Sequence, residues 1–416
     1  MVGSLWLSLG VSQAHALAIS ASSGVTVFAE PQSGVAPVLR LIRSARHLIR
    51  LEVYELTDRD VINALDSARH RGVSVQVLLE QHPYSGGSYD QEAYQELRSD
   101  GISTRWANEA AFTYTHEKAM DVDNKIAGIF TFNLSYSAFE SNREFGVVYP
   151  NPSDATAIGS IFQADWNRRQ ARLSNSQLVV SPINARSTLT HLIDGAHHTL
   201  DLYEEEMDDG SIESHVVQAV HRHVRVRLIT STGSAGVARL EGSGVHVVVM
   251  SSPYVHAKAI VADGNRVFIG SENISSTSLD SNREMGIVLT QSNAIHTVEA
   301  TFQSDLKAYH VTKPPRHGGK LTLSLTATPA SVARYQPLTI SAHTTVSASC
   351  TITVTYPDAY VSHASTLQGS RTADSSGQVN WSWHVGSTVT GTAHAGVSCT
   401  LGSKSASKTV AFIIRS

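Results

Sequence analysis

Two stretches decide how this chain is read: HEKAMDVD at residues 116–123 and HAKAIVAD at residues 256–263. Each is followed by a short polar triplet, TFN at 131–133 and SEN at 271–273, and then by SNREFGVV at 141–148 and SNREMGIV at 281–288. The spacing is the same at every step. His116 pairs with His256, Lys118 with Lys258, Asp123 with Asp263, Thr131 with Ser271, Asn133 with Asn273 and Glu144 with Glu284, all 140 residues apart. The register continues without a gap to Phe162 and Asp165 against Phe302 and Asp305. Self-similarity of this kind marks a duplicated structural unit.

Upstream the repeat persists at a different offset. LIRSARHLIRLEVYEL (41–56) matches LIDGAHHTLDLYEEEM (192–207) 151 residues on, so Glu55 falls opposite Glu206. The change of offset puts eleven extra residues in the first half, between Glu80 and His116, where Tyr84, Tyr89, Tyr94, Trp106, Phe112 and Tyr114 lie. Apolar periodicity predicts strands at Val25–Phe28, Leu48–Val53 and Val73–Leu79, with helices at Val35–Ala45 and Arg59–Arg71. The second half repeats the alternation with Ser187–Ala196, Thr199–Tyr203, Ile212–Arg222 and Val224–Ile229. Such alternation predicts an α/β layered fold with largely parallel central strands, its halves (25–172 and 176–309) related by a pseudo-twofold axis.

A lone His-x-Lys carries little information. The pattern in duplicate carries much more: H-x-K-x4-D, a hydroxyl-x-Asn, and a Glu eleven residues after the Asn. His197-His198 and the His221–His223 pair lack partners and read as solvated helix faces. The duplicated pattern resembles the two signature motifs of the phospholipase D superfamily, over roughly residues 25–310. The second motif matches fully, including Gly270 before Ser271; the first has Phe130 where the family has glycine. The resemblance implies a duplicated phospholipase D-like α/β sandwich and one active site shared by both halves.

The chemistry suits those residue types. An anionic phosphodiester repels an attacking nucleophile unless its oxygens are neutralised and hydrogen-bonded. Lys118 and Lys258 supply point charges, and Thr131, Ser271, Asn133 and Asn273 supply neutral donors. Attack by imidazole divides the reaction into two displacements, and a second imidazole relays the proton. By resemblance His116 is the nucleophile and His256 the general acid and base, an order the residues alone leave open. Glu144 and Glu284 are the candidates to fix the histidine tautomers. Asp123 and Asp263 belong to the motif and are expected to be structural. No metal and no cofactor is required by this scheme.

The chain has 416 residues and a net charge of −4. From Gly318 onward there are six basic residues and two acidic ones, a net +4, which leaves −8 for the catalytic region. Acidity there weighs against non-specific wrapping of nucleic acid. Residues 1–18 are expected to be a signal peptide, with an apolar stretch Val2–Val11 and Ala14-His15-Ala16 at the cleavage point; a buried first strand or helix is the alternative. After a Pro/Gly/Lys linker at 310–319, residues 320–416 alternate in period two and predict an immunoglobulin-like β-sandwich, with Trp381 and Trp383 on one face. The chain's two cysteines, Cys350 and Cys399, fall in this domain. With a secretory N-terminus a disulfide is expected, and closing that loop stabilises by about 4 kcal/mol; two buried thiols are the alternative.

The expectation is therefore a secreted, monomeric phosphodiesterase of the phospholipase D type. Its substrate is phospholipid, hydrolysed or transphosphatidylated, with peripheral contact to a membrane surface. The alternatives are a nuclease of the same superfamily and a catalytically silent surface-binding protein.

Overall fold

The computed structural model describes residues 24–84, 89–174 and 177–312, then 321–345, 348–362, 364–367, 369–373, 377–386, 389–401 and 404–415. The expected signal peptide and most of the expected linker lie outside the described residues. Two compact units are present, residues 1–310 and 311–416.

In the first unit the first half runs β1 (Thr26–Glu30), α1 (Ala36–Ser44), β2 (Leu48–Val53), α2 (Arg59–His70), β3 (Ser74–Leu79) and α3 (Tyr89–Ser99). It continues β4 (Ser103–Trp106), β5 (Lys118–Val122), β6 (Ile126–Phe130), α4 (Tyr136–Glu140), β7 (Asn142–Tyr149) and α5 (Pro152–Trp166). The second half runs β8 (Leu178–Ser181), α6 (Ala185–Asp194), β9 (Thr199–Tyr203), α7 (Gly210–His221), β10 (Arg225–Thr230), α8 (Ala235–Gly242) and β11 (His246–Val249). It closes with β12 (Tyr254–Val255), β13 (Lys258–Ala262), β14 (Arg266–Gly270), α9 (Ser276–Asp280), β15 (Glu284–Leu289) and α10 (Ser292–Thr312).

The two sheets have the same order: β4-β3-β2-β5-β6-β7-β1 and β11-β10-β9-β13-β14-β15-β8. The second-half strand β12 also pairs with β7 and so joins the first sheet. The expectation of largely parallel central strands needs correction. β2-β3-β4 and β9-β10-β11 run parallel, as does the short β12 beside β7, while β5, β6, β7 and β1 pair antiparallel, as do β13, β14, β15 and β8. The reason lies inside the motif. Asp123 and Asn124 (φ 57° and 52°), like Asp263 and Gly264 (φ 52° and 61°), form two-residue turns. The turns are closed by Lys125 N–H on Val122 O at 2.9 Å and Asn265 N–H on Ala262 O at 3.1 Å. Such turns join only antiparallel neighbours.

Alternation along each strand divides most of the apolar residues among three cores, with a small fourth cluster at Leu78, Ala107, Phe162 and Trp166. Ala119, Ile129, Phe145, Val180, Ala259, Ile269 and Met285 share one core contributed by both halves, with α5 and α10 packed into it. Met120, Phe130 and Leu51 turn the other way to pack with α1 and α2. Ile260, Phe268 and Leu202 do the same with α6 and α7. The halves therefore bury a common apolar layer, and the strand ends carrying both histidines come together at its edge.

The second unit holds β16 (Leu323–Thr328), β17 (Ser331–Ala333), β18 (Pro337–Thr344), β19 (Ser349–Thr355), β20 (Arg371–Thr372), β21 (Gln378–His384), β22 (Gly391–Leu401) and β23 (Lys404–Arg415). Sheets β16-β18-β21 and β17-β23-β22-β19-β20 contribute Ile340, Trp381, Trp383, Val397 and Phe412 to one core, as in a β-sandwich. Cys350 and Cys399 are register partners on β19 and β22 and form a disulfide.

Candidate active site

Each motif histidine lies just ahead of a hairpin strand and is held by the opposite half. His116 N–H donates to Arg283 O at 2.8 Å, and His256 N–H donates to Arg143 O at 3.2 Å. The side chains cross in the same way. His116 Nδ1 meets Glu284 Oε2 at 2.8 Å, and His256 Nδ1 meets Glu144 Oε1 at 2.6 Å. Glu144 and Glu284 thus sit where tautomer-fixing acceptors were expected, each on the histidine of the other half. With Nδ1–H directed to a carboxylate, Nε2 is left for chemistry.

Lys118 and Lys258 are fully buried, and each ammonium donates to the backbone oxygen two residues before it, at 2.6 Å. Asn133 Nδ2 donates to Glu55 Oε2 at 3.1 Å, and the backbone N–H of Asn273 donates to Ser278 Oγ at 2.9 Å. Thr131 and Ser271, expected as donors to phosphate, have hydrogen-bond partners within the protein. Both are fully buried; Thr131 Oγ1 donates to Glu144 at 2.6 Å and accepts from Phe145 N–H, and Ser271 Oγ accepts from Met285 N–H at 3.0 Å. A hydroxyl at the end of a buried strand must satisfy its neighbours, so these two brace the glutamate-bearing strands. Glu284 receives its hydrogen bonds instead from Ser278 Oγ at 2.7 Å and Asn282 Nδ2 at 3.0 Å.

Asp123 and Asp263 do not touch the histidines, so the catalytic grouping of the motif stops short of them. Asp123 accepts from the backbone N–H groups of Arg46, His47 and Leu48 at 2.8–3.0 Å. Asp263 accepts from those of His197, His198 and Thr199 at 2.7–2.9 Å. Each anchors the start of the central strand β2 or β9 to the turn after the motif.

Residues that the sequence reading passed over complete the frame. Arg143 forms a bidentate pair with Asp305 at 2.7 and 2.8 Å, and Arg283 with Asp165 at 2.7 and 3.1 Å. These buried pairs cross between halves, and both arginines stand in the repeated SNRE that was already in view.

This geometry has a family. Residues 38–166 and 189–306 match the phospholipase D-like domain described for cardiolipin synthase, twice and over more than half of the chain. The chain belongs to the phospholipase D-like family. No curated protein matches it. Among solved structures, this phospholipase D-like chain resembles the polyphosphate kinase of Porphyromonas gingivalis (17% identity, TM-score 0.56), covering 68% of this chain and 50% of the kinase. It spans, that is, about half the length of that enzyme. It also resembles the phosphatidylserine synthase of Haemophilus influenzae Rd KW20 (10% identity, TM-score 0.55), covering 68% of this chain and 86% of the synthase. Nuc of Salmonella typhimurium, a phospholipase D family member, matches at 29% identity and TM-score 0.33, covering 36% of this chain and 99% of Nuc.

The electrostatics of the phospholipase D-like site follow from burial. Burial pushes His116 down to about 4, with the Lys118 and Lys258 charges adding to the fall and Glu284 opposing it. Burial likewise lowers Lys118 to about 7, with Lys258 adding and Glu284 opposing. Glu284 is raised by burial, but the His116 charge and hydrogen bond outweigh that and hold it below the usual carboxylate range. Lys258 of one half acting on His116 of the other is the mark of a single shared site.

The halves differ beside the histidines. The residue before Glu55 is Tyr54, whose ring lies 4.6 Å from that of His116 and 5.1 Å from Lys118 Nζ. The residue before Glu206 is Glu205, whose Oε2 lies 2.8 Å from Lys258 Nζ and 3.4 Å from His256 Nε2. The aromatic-rich extra segment contributes less than its composition suggests. Tyr94 and Trp106 stack on each other at 3.9 Å between α3 and β4, and Phe112 lies under Arg283; Tyr114 meets Tyr54 ring to ring at 6.1 Å, and the Tyr84 backbone N–H donates to Tyr54 Oη at 2.5 Å.

Proposed function

We propose that the protein is a phosphodiesterase of the phospholipase D type, acting on phospholipid through a phosphohistidine. What carries the reading is the crossed pair of His–Glu dyads flanked by two buried lysines. Nε2 of neutral His116 attacks phosphorus, the P–O bond to the leaving alcohol breaks, and His256 gives that oxygen its proton. Water or an acceptor alcohol then attacks the phosphohistidine, His256 takes the proton of the incoming O–H, and the N–P bond to His116 breaks. Lys118 and Lys258 neutralise the phosphoryl oxygens as charge builds on them, with Asn133 and Asn273 as neutral hydrogen-bond donors to the same group. Glu284 steadies His116 when it carries charge, and Glu144 does so for His256, as the carboxylate does in a Ser-His-Asp triad.

Phospholipid is favoured as substrate by the acidic catalytic half of the sequence and by two motifs in one chain. Secretion, contact with a membrane surface and a monomeric state belong to the same proposal, in which the disulfide-bearing β-sandwich acts outside the cell. The experiment is choline release from phosphatidylcholine vesicles in EDTA, run beside single-stranded and duplex DNA, with His116→Ala and His256→Ala. Choline release lost in both variants, with DNA intact, is the expected result. DNA cleavage without choline release moves the substrate to nucleic acid and keeps the two-histidine site. Silence on every substrate leaves the surface-binding alternative.

A further inference from the structure

The substrate side of His256 is already filled by a side chain. Glu205 Oε2 stands 2.8 Å from the Lys258 ammonium and 3.4 Å from His256 Nε2. An anionic oxygen in contact with that ammonium and that imidazole nitrogen has the surroundings a phosphoryl oxygen needs. In the first half the equivalent position is Tyr54, which offers Lys118 a ring face and no charge. One lysine of the site is thus closed by a carboxylate and the other is not.

Resting on the reading of this site as phosphate-binding, we propose that Glu205 is an internal occupant of the phosphate position, bound to Lys258 and His256 in the free enzyme and displaced by substrate. Lys258 is fully buried, and an anion at its ammonium offsets the cost of burying that charge. Glu205 provides it from the rim: its side chain is 23% exposed, and its other oxygen accepts from Tyr254 Oη at 3.0 Å, on a tyrosine that is itself 38% exposed. Rotation toward Tyr254 frees Lys258 without burying the carboxylate elsewhere. Burial raises Glu205, but the charges of His256 and Lys258 and the Lys258 hydrogen bond outweigh it, so it is held below the usual carboxylate range. The occupant is therefore anionic across the working pH range and leaves by movement, not by taking up a proton. Once displaced it remains tethered beside the phosphate. Its charge penalises a dianionic phosphomonoester more than a monoanionic diester, which makes Glu205 a specificity-determining residue for diesters.

The test is calorimetric titration of inorganic phosphate at pH 7.5 into the whole protein, Glu205→Gln, Glu205→Ala and Lys258→Ala, with circular dichroism to establish that each is folded. Steady-state kinetics on bis(p-nitrophenyl) phosphate and p-nitrophenyl phosphate accompany it. Both Glu205 variants are expected to bind phosphate roughly tenfold tighter than wild type, the equivalent of displacing one ion pair. KM for the diester falls by a similar factor with a smaller change in kcat, the preference for diester over monoester narrows, and Lys258→Ala loses the phosphate signal. Lys258-dependent binding to wild type that neither Glu205 variant improves overturns the occupant while keeping the phosphate site. No binding to wild type or to either Glu205 variant overturns both.

Discussion

The two halves of the catalytic unit share the frame that sets position and differ where the reaction needs a direction. Sheet order, hairpin turns, aspartate anchors, crossed His–Glu dyads and crossed Arg–Asp pairs occur twice. The surroundings of the histidines do not. His116 packs against Tyr54, while His256 has a carboxylate oxygen near each ring nitrogen, Glu144 at 2.6 Å and Glu205 at 3.4 Å. Tyr54 offers His116 a ring and no charge, whereas Glu205 holds a carboxylate at His256 Nε2 until substrate displaces it, so the two rings enter the reaction from different surroundings. The duplication supplies a symmetric frame, and substitutions at its edge divide the labour.

Removing the histidines tests that division most severely. His116→Ala is expected to abolish turnover to background and leave no phosphoenzyme. His256→Ala should lose roughly 10²–10⁴-fold on substrates with poor leaving groups yet still trap a phosphohistidine from an activated aryl phosphodiester. Mass spectrometry of acid-sensitive phosphopeptides locates the adduct. Phosphate on residue 256 in the His116→Ala protein would reverse the assignment.

Next in size are the crossed glutamates. Glu284→Gln leaves His116 without its carboxylate, and Glu144→Gln does the same to His256. Each is expected to lower kcat by about 10²-fold or more, since a neutral amide does not steady an imidazolium. Because the partners cross, Glu284→Gln should slow phosphoenzyme formation for every leaving group, whereas Glu144→Gln should spare activated ones. Rapid-quench measurements separate the steps, and identical effects on both substrates would break the comparison.

The pH dependence gives a smaller, graded effect. His116 must be neutral to attack and is lowered to about 4, while Lys118 must be charged and is lowered to about 7, both chiefly by burial. In the free enzyme kcat/KM should rise with pH through about 4 and fall above about 7 as Lys118 loses its proton, by roughly tenfold per unit at the steepest. Bound phosphate favours the ammonium, so the alkaline limb of kcat should lie higher. Lys118→Arg is expected to move that limb of kcat/KM upward. A limb that stays in place in the arginine variant assigns it to another group.

Much of this was legible in the residues, and the rest was hidden for identifiable reasons. Leu48–Val53 and Thr199–Tyr203 form strands at their expected bounds, since buried β-branched and leucine runs flanked by helices have few alternatives. Parallel pairing was over-extended because alternation of strand and helix does not reveal a hairpin; the clue was Asp-Asn and Asp-Gly after the motif strands. The crossing of the dyads is a tertiary fact, and spacing alone assigns each glutamate to neither histidine. Phe130 in place of glycine is explained by its neighbour. It stacks on Phe132 at 4.9 Å, whereas a side chain at Gly270 would meet the buried carboxylate of Glu272, the counterpart of Phe132. Glu205 stood in the matched segment, but its opposition to Tyr54 acquires meaning only beside Lys258.

The aspartates of the motif give the smallest expected effect on activity and the sharpest statement of what symmetry is for. Asp123 and Asp263 each collect three backbone N–H groups from the start of a central strand, and both sit at positive φ in the hairpin turn. Burial raises both, but those hydrogen bonds outweigh it and lower them below the usual range. A depressed carboxylate stabilises fully above its unfolded value, near 4, and that contribution disappears as pH falls through the lower folded value. Asp123→Ala and Asp263→Ala should each cost about 2 kcal/mol in denaturant unfolding near neutral pH. The deficit should shrink as wild type is acidified below about pH 4. Asparagine, which tolerates positive φ and keeps an acceptor, should recover part of the loss. Because these carboxylates hold backbone and no reacting group, kcat in the folded variants should stay within about threefold of wild type, and the two variants should match each other. A large loss of kcat with unchanged stability in either one would return that aspartate to the chemistry and make the frame itself asymmetric.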